Sequence, residues 1–481
     1  MLLVLLLPLF ASLLLPFFKG NSARWVALLF SIITFILTIF LMPTFNSTGV
    51  LNGVVDYAWM PSMGINFKLG YDGISLLMLL LTNLLVPIII GSSWEKDFSK
   101  PSLFYALVML MQFALIGVFT AMDGFLFYIF WEIALIPIYF ICALWGGQDR
   151  IKITLKFFIY TFVGSLFMLV SLIYLYLQTP APHSFDITAL YNVKLTPQTA
   201  NYVLLGLFLA FAIKIPIFPF HTWQPDTYSE SPTSGTMLLS GIMLKMGLYG
   251  LIRWMLPLAP EGLAHTTPIM ITLAVIGIVY ASIIAIKQQD IKRLVAYSSI
   301  AHVGLIAAGI FAANQTGWQG GLIQMLNHGI NVVGLFLACD IIISRTGTRQ
   351  LSQLGGIAKS APRFAVLFMI IMLGSVAVPL TNGFVGEFLL LNGVYQYNFW
   401  LCVIAGLTII FCAVYMLRIY QFTMFGDSNT LTSNFKDVDM REFILLAVLC
   451  LLVLYLGIQP QFIFDITKDS VTNLLNIIAL K

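Results

Sequence analysis

The stretch Phe211-Ala-Ile-Lys-Ile-Pro-Ile-Phe-Pro-Phe-His-Thr-Trp-Gln-Pro-Asp226 sets Lys214 inside an apolar run and follows it at once with Pro216, Pro219 and Pro225. Proline has no amide hydrogen to donate, so a helix running through this stretch breaks here. A bilayer tolerates such a break only where protein or water takes up the freed carbonyls. An ammonium group at that depth costs about 2.5–3.5 kcal/mol on insertion scales, which makes it a functional candidate by default. A charge beside a broken helix in mid-membrane reads as one piece of an ion path.

The rest of the chain has the composition such a path needs. It is 60% hydrophobic and 9% charged, where soluble domains carry roughly 25% charged residues. A water-soluble enzyme is excluded. The net charge of +4 comes from scattered loop residues, and no dense basic block points to nucleic acid. Cys142, Cys339, Cys402, Cys412 and Cys450 form no CxxC and no metal-site spacing. They read as small apolar helix residues, and no iron–sulfur, haem or flavin motif accompanies them.

Apolar runs of about 20 residues are taken as spans. They predict fourteen, near 2–18, 25–43, 71–94, 103–122, 125–145, 153–178, 201–219, 234–257, 268–287, 293–313, 318–344, 364–395, 400–424 and 443–464. The segment from Leu2 to Phe18 has no basic residue ahead of it, so it reads as a first span and not as a cleaved signal. Residues 44–70 and 179–200 read as loops. Lysines and arginines crowd the odd-numbered loops, from Lys19 and Arg24 to Lys436 and Arg441, while the even ones hold little beyond Lys68 and Lys194. The odd loops are therefore expected to be cytoplasmic and both termini to face the other side.

A second break is expected in Val376-Ala-Val-Pro-Leu-Thr-Asn-Gly-Phe-Val-Gly-Glu387, where Pro379, Asn382, Gly383 and Gly386 cannot all sit in a regular helix. The two broken spans are five apart and so run in opposite directions. Two inverted five-helix repeats would place them so. The expected fold is an all-α polytopic membrane protein. Three spans fill 1–102, the first repeat 103–257 and the second 258–424; a loop, the fourteenth span and a tail fill 425–481.

Charges at depth are few: Glu132, Lys214, Lys245 and Glu387, with Asp340 and Arg418 nearer the cytoplasmic ends of their spans. Lys156 sits near a span start and can snorkel. His302 and His328 lie in spans ten and eleven, near Ser298, Ser299, Asn327 and Asn331; the two asparagines share a helix face. A desolvated lysine loses much of its preference for the charged form. A carboxylate about 4 Å away restores it by about 4 kcal/mol at an effective dielectric near 20. Driving one charge against ~150 mV costs roughly 3.5 kcal/mol, so a carboxylate that moves relative to a lysine is a switch of the right size. Histidines suit the relay between lysines. The plainer readings are a static counter-ion for Glu132, packing histidines, and structural roles for Asp340 and Arg418. Retaining four ionisable groups at depth for packing alone is costly, and that favours the functional reading.

The segments WEIALIPIYF (131–140), KIPIFPFHTWQPDTYSESPTSGTMLLSGIMLKMGLYG (214–250), DIKRLVAYSSIAHVG (290–304), QMLNHGINVVGLF (324–336) and TNGFVGEF (381–388) carry a resemblance. They resemble the antiporter-like subunits of proton-pumping NADH:quinone oxidoreductase, respiratory complex I, over nearly the whole chain. Within that family the chain is similar to the M type, the counterpart of mitochondrial chain 4. Glu387 stands where the L and N types carry a lysine, no long lateral helix follows the last span, and YDGISLLMLLLTNLLVPI (71–88) is also of the M type. The resemblance implies that Glu132 is the acid partner of Lys214, the central pumping lysine, and that Lys245 is a connecting lysine. His302 and His328 would line a polar axis that ends at Glu387. It further implies L-type and N-type neighbours in a bacterial inner membrane and no cofactor in this chain, with NADH, FMN, iron–sulfur clusters and quinone in partner subunits. The alternatives are the D-type subunit of a multisubunit cation/proton antiporter, or a related membrane-bound hydrogenase subunit.

Overall fold

Where a chain runs apolar through a bilayer its backbone has no water to bond, and helix is the local solution. The computed structural model describes residues 1–42 and 50–480. Among these, eleven helices are long and apolar enough to cross a membrane. The first six are Ser22–Ile39, Gly73–Ser92, Pro101–Thr120, Gly124–Trp145, Arg150–Gln178 and Thr233–Leu258. Pro260–Lys287, Ile291–Phe311, Gln315–Thr346, Phe399–Met424 and Met440–Ile458 follow. An aspartate commonly starts them: the carboxylates of Asp72, Asp123, Asp290 and Asp439 each accept amide hydrogens of the first turn, which satisfies donors a helix start leaves free.

Burial separates the inner helices from the outer ones. Thr233–Leu258 is buried along its whole apolar window and Ile291–Phe311 nearly so, whereas Phe399–Met424 and Met440–Ile458 expose most of theirs. The helices that carry ionisable groups at depth are mostly the central ones.

Both breaks fall where the prolines place them. The first helix half, Pro197–Lys214, ends on the lysine; turns occupy 215–223 and helix resumes over Gln224–Glu230. The expected span of 201–219 is thus the first half of a longer broken element. In the second, Pro362–Val376 and Asn382–Tyr397 flank a bend at 377–381, where Ala377 and Leu380 have left-handed backbone (φ 62° and 72°). Pro379 lies in the bend, while Asn382, Gly383 and Gly386 belong to the helix that follows it, so the four do not share one regular helix. Gly383 is there for space: a Cβ on it would lie 2.1 Å from the Gly374 carbonyl oxygen.

Two elements correct the all-α expectation and the tail. Part of the loop expected over 44–70 lies outside the described residues, but Asn52–Met60 (β1) and Ile65–Tyr71 (β2) form an antiparallel hairpin. Val54, Val55, Tyr57, Trp59, Ile65 and Phe67 suit a pleated surface, and Gly64 turns between the strands with φ 61°. The hairpin is tied to the chain near 185: Phe185 N–H donates to Gly64 O (3.1 Å), Lys68 pairs with Asp186, and Asn66 N–H donates to Asp123 Oδ2 (3.1 Å). The expected last span also stops early, at Ile458 before Pro460, and a separate amphipathic helix Gln461–Ala479 follows. It packs against the start of Gly73–Ser92, where Gly73 N–H donates to Ser470 Oγ (3.0 Å). Hairpin and terminal helix meet the same end of that span, and we call this the hairpin face; the face holding the basic loops lies opposite.

Candidate functional site

Lys214 closes its helix half among aromatic rings. Its Nζ is buried without a hydrogen-bond partner, 5.4 Å from the centre of the Trp131 ring and 5.9 Å from that of Phe157. Ring faces attract a cation without offering it an acceptor. Glu132 is half-buried on the neighbouring helix Gly124–Trp145, and its Oε1 is also without a partner. Glu132 supplies the opposite charge felt at Lys214, yet the two do not form an ion pair. The acid is near enough for its charge to be felt at the lysine, with no hydrogen bond between them.

Lys245 lies in helix Thr233–Leu258, which contains two π turns, Leu239–Met243 and Leu251–Met255. A π turn widens the helix locally and frees a carbonyl from the regular ladder. Lys245 Nζ donates to the Ser240 carbonyl oxygen at 2.6 Å and to His328 Nδ1 at 2.8 Å. With Nδ1 accepting, the His328 Nε2–H points to Ser299 Oγ, 3.1 Å away. The His328 and His302 ring centres are 6.2 Å apart. The space between is a cavity of about 10 Å³ lined by Ser298, Ser299, Gln324, Asn331 and Ser375 besides the two histidines, which is room for about one water. Beyond it His302 Nδ1–H donates to Glu387 Oε1 at 2.9 Å, with both side chains buried. Lys245, His328, Ser299, His302 and Glu387 thus form one line of groups able to give and take protons.

The second break is held onto this line. Asn327 Nδ2 donates to the Asn382 carbonyl oxygen (2.7 Å), and Asn382 Nδ2 donates to Asn331 Oδ1 (3.1 Å). The two asparagines on one helix face therefore clamp Asn382, the start of the half-helix that carries Glu387. The site residues fall into two groups, Glu132 with Lys214, and Lys245 through Glu387; no hydrogen bond joins them. Asp340 pairs with Lys96 (2.9 Å) and Arg418 donates to the carbonyls of Ile286 and Gln288, so both make structural contacts. Lys156 is paired with Asp226, which Arg293 also holds.

Three features escaped the sequence reading. Lys292, counted there among loop cations, is buried and donates to the carbonyls of Ser229 and Ser231 at the edge of a cavity of about 360 Å³ on the basic face. Cys412 lies 3.4 Å from His302 Nε2. Arg253, inside the Lys245 helix, forms a buried ion pair with Asp72. The signal for Arg253 was present, a charge within an apolar run. Nothing in the sequence marks Cys412 or the burial of Lys292.

Comparison with known proteins gives the chain's family and overall fold. The family described as NADH:quinone oxidoreductase/Mrp antiporter, TM, matches residues 121–412. A protein of Rickettsia conorii named NADH-quinone oxidoreductase subunit M is 44% identical over 463 residues, which is 95% of this chain and 93% of that one. A chain in the structure of respiratory complex I from Thermus thermophilus with bound NADH superposes with a TM-score of 0.91 at 32% identity, covering 99% of each chain. A chain of the Mrp complex from a Dietzia species reaches 0.87 at 19% identity and covers 99% of this chain and 98% of that one. That last likeness is one of fold alone.

Proposed function

The chain belongs to the NADH:quinone oxidoreductase/Mrp antiporter transmembrane family and, within it, to the subunit M branch; from that membership we propose that it moves protons across the membrane arm of complex I through a Glu132–Lys214 switch. The observation that carries the reading is the buried line from Lys245 through His328, Ser299 and His302 to Glu387. In this reading a change elsewhere in the complex brings Glu132 to Lys214 or takes it away. The lysine then holds or releases its proton, and the line passes it on towards Glu387. Redox chemistry stays in partner subunits, which would hold NADH, FMN, iron–sulfur clusters and quinone.

The proposal extends to placement. Eleven long apolar helices together with Leu2–Phe17 and the two broken elements would give fourteen crossings. The broken elements would then occupy matched places in two inverted repeats. Basic loops would lie in the cytoplasm, and the hairpin face with both termini on the outer side of a bacterial inner membrane. L-type and N-type subunits would flank the chain. The alternative as an Mrp-type or hydrogenase-type subunit rests on a shared fold, and co-purification separates them: flavin and iron–sulfur subunits support complex I, small hydrophobic antiporter subunits the alternative.

The test is Lys214→Ala in the assembled complex, reconstituted in vesicles at several sodium concentrations. NADH-driven proton release is expected to be lost or strongly reduced whatever the sodium level. An assembled Lys214→Ala complex that pumps normally overturns the switch.

A further inference from the structure

We propose that Arg253 and Asp72 form a proton seal that closes the first half of the path towards the hairpin face. The proposal rests on the functional reading above, in which Lys245 carries protons, and concerns where those protons must not go.

Lys245, Tyr249 and Arg253 are spaced by four along one helix, so they stand on one face, each a turn nearer the hairpin face than the last. The polar groups continue along that face. Tyr249 O–H donates to the Phe119 carbonyl oxygen (3.1 Å) and its oxygen lies 3.3 Å from Ser75 Oγ. Arg253 sits beyond, its guanidinium carbon 5.7 Å from the centre of the Tyr249 ring and its Nη2 donating to Asp72 Oδ2 at 2.5 Å. Tyr191 O–H donates to the Arg253 carbonyl oxygen at 2.6 Å. A lysine that exchanges protons thus has a short file of two hydroxyls, Tyr249 and Ser75, between it and the wrong side, and the file ends on an ion pair only 4–5% exposed.

An arginine suits that end of the file. A guanidinium stays protonated at any working pH, so it can neither accept a proton from above nor hand one on. Asp72 holds the guanidinium in place, and Asp72 is itself fixed by the amides of Ile74 and Ser75. The terminal helix closes over the pair: at Gly73 a Cβ would lie 1.9 Å from the Ile466 carbonyl oxygen, so the backbones are in direct contact.

The other half of the molecule also holds an arginine near one end of a long helix, bound there by backbone carbonyls and not by an acid. Phe399–Met424 has the same length as Thr233–Leu258, 26 residues. In the one, Tyr415 and Arg418 stand near the end on the basic face; in the other, Tyr249 and Arg253 stand near the end on the hairpin face. Arg418 is fixed there by the carbonyls of Ile286 (2.6 Å) and Gln288 (2.8 Å). An arginine thus stands at the closed end of each half.

The test uses the whole complex in vesicles without NADH, with an imposed pH gradient, and reads passive proton conductance. Arg253→Met with Asp72→Asn removes both charges together, leaves no unpaired charge and keeps a side chain able to cap the helix at position 72. The expected result is a rise of about tenfold in passive conductance, the effect of a barrier lowered by about 1.4 kcal/mol. The rise should vanish when Lys245→Ala is added. Unchanged conductance in the assembled double variant overturns the seal, and so does a leak that persists without Lys245, which marks general damage. Should the double variant fail to assemble, Arg253→Lys keeps charge and bulk but can release a proton. Conductance above wild type at alkaline pH then supports the seal, and wild-type conductance overturns it. None of these readings depends on NADH-driven pumping, so failure of the Lys214 switch and failure of the seal are distinguishable.

Discussion

In the proposed path Lys245 serves because it is a lysine and not merely a cation. It is fully buried, and its Nζ shares hydrogen bonds with the Ser240 carbonyl and His328. Arginine at this position would keep the charge and lose the ability to release a proton. Lys245→Arg is therefore expected to assemble and to slow proton transfer at this step by roughly 10²–10⁴-fold, the usual contribution of a positioned proton-transfer group. The measurement is NADH-driven proton release against NADH oxidation in vesicles; wild-type pumping would remove Lys245 from the path. Glu132, Lys214, Lys245 and Glu387 were legible because a charge inside a long apolar run is costly to keep. What the sequence could not show is which atoms meet: His302 touches Glu387 and Cys412, 85 and 110 residues away. Arg253 was as visible as Lys245 by the same rule, but only its contact with Asp72 gives it a role.

At the scale of elements, the prolines did most of the telling. Both broken helices break at Pro216 and Pro379, since a missing amide hydrogen acts locally and needs no tertiary context. The hairpin was obscured because Gly53, Gly64 and Asn66 lie among its β-branched and aromatic residues, and what stabilises it is remote: Lys68 on Asp186 and the Asn66 amide on Asp123. The π turns beside Lys245 have no sequence signature at all. The hairpin anchor also yields a pH prediction. Burial alone would raise the Asp186 carboxyl, but the hydrogen bonds from the Lys68 ammonium and from the hydroxyl and amide of Thr188 outweigh it, and the group is held below the ordinary 3.8. The folded state thus favours the ionised form. The stabilisation is complete above about pH 4 and is lost as pH falls through the lower, folded value. Amide exchange over 65–71, corrected for intrinsic rates, should lose about two- to fivefold protection between pH 5 and pH 3, as a pair worth up to about 1 kcal/mol gives. Lys68→Met should flatten that dependence; a wild-type slope in the variant counts against the anchor.

For the whole molecule the question is whether the two halves act as one path or as two. The sequence already placed a broken helix in each half, running in opposite directions. It did not show that the second break is clamped by Asn327 and Asn331 from the helix that carries His328. That helix, Gln315–Thr346, meets Lys245 on one side and the start of the Glu387 half-helix on the other, so it is the physical link between the halves. In the proposed path the link would make the two ends of the line steps in series. Removing any one member of a series stops transport, and removing a second has nothing further to stop; residues acting as a unit are strongly non-additive for this reason. Residues in independent routes would instead give effects that multiply, because free energies at uncoupled sites add. Lys245→Ala and Glu387→Gln should each lower NADH-driven proton release, and the double variant should release protons no more slowly than the worse single one. If the double variant's defect equals the product of the two single defects, Lys245 and Glu387 serve separate routes, and the line of groups between them is packing and not a path.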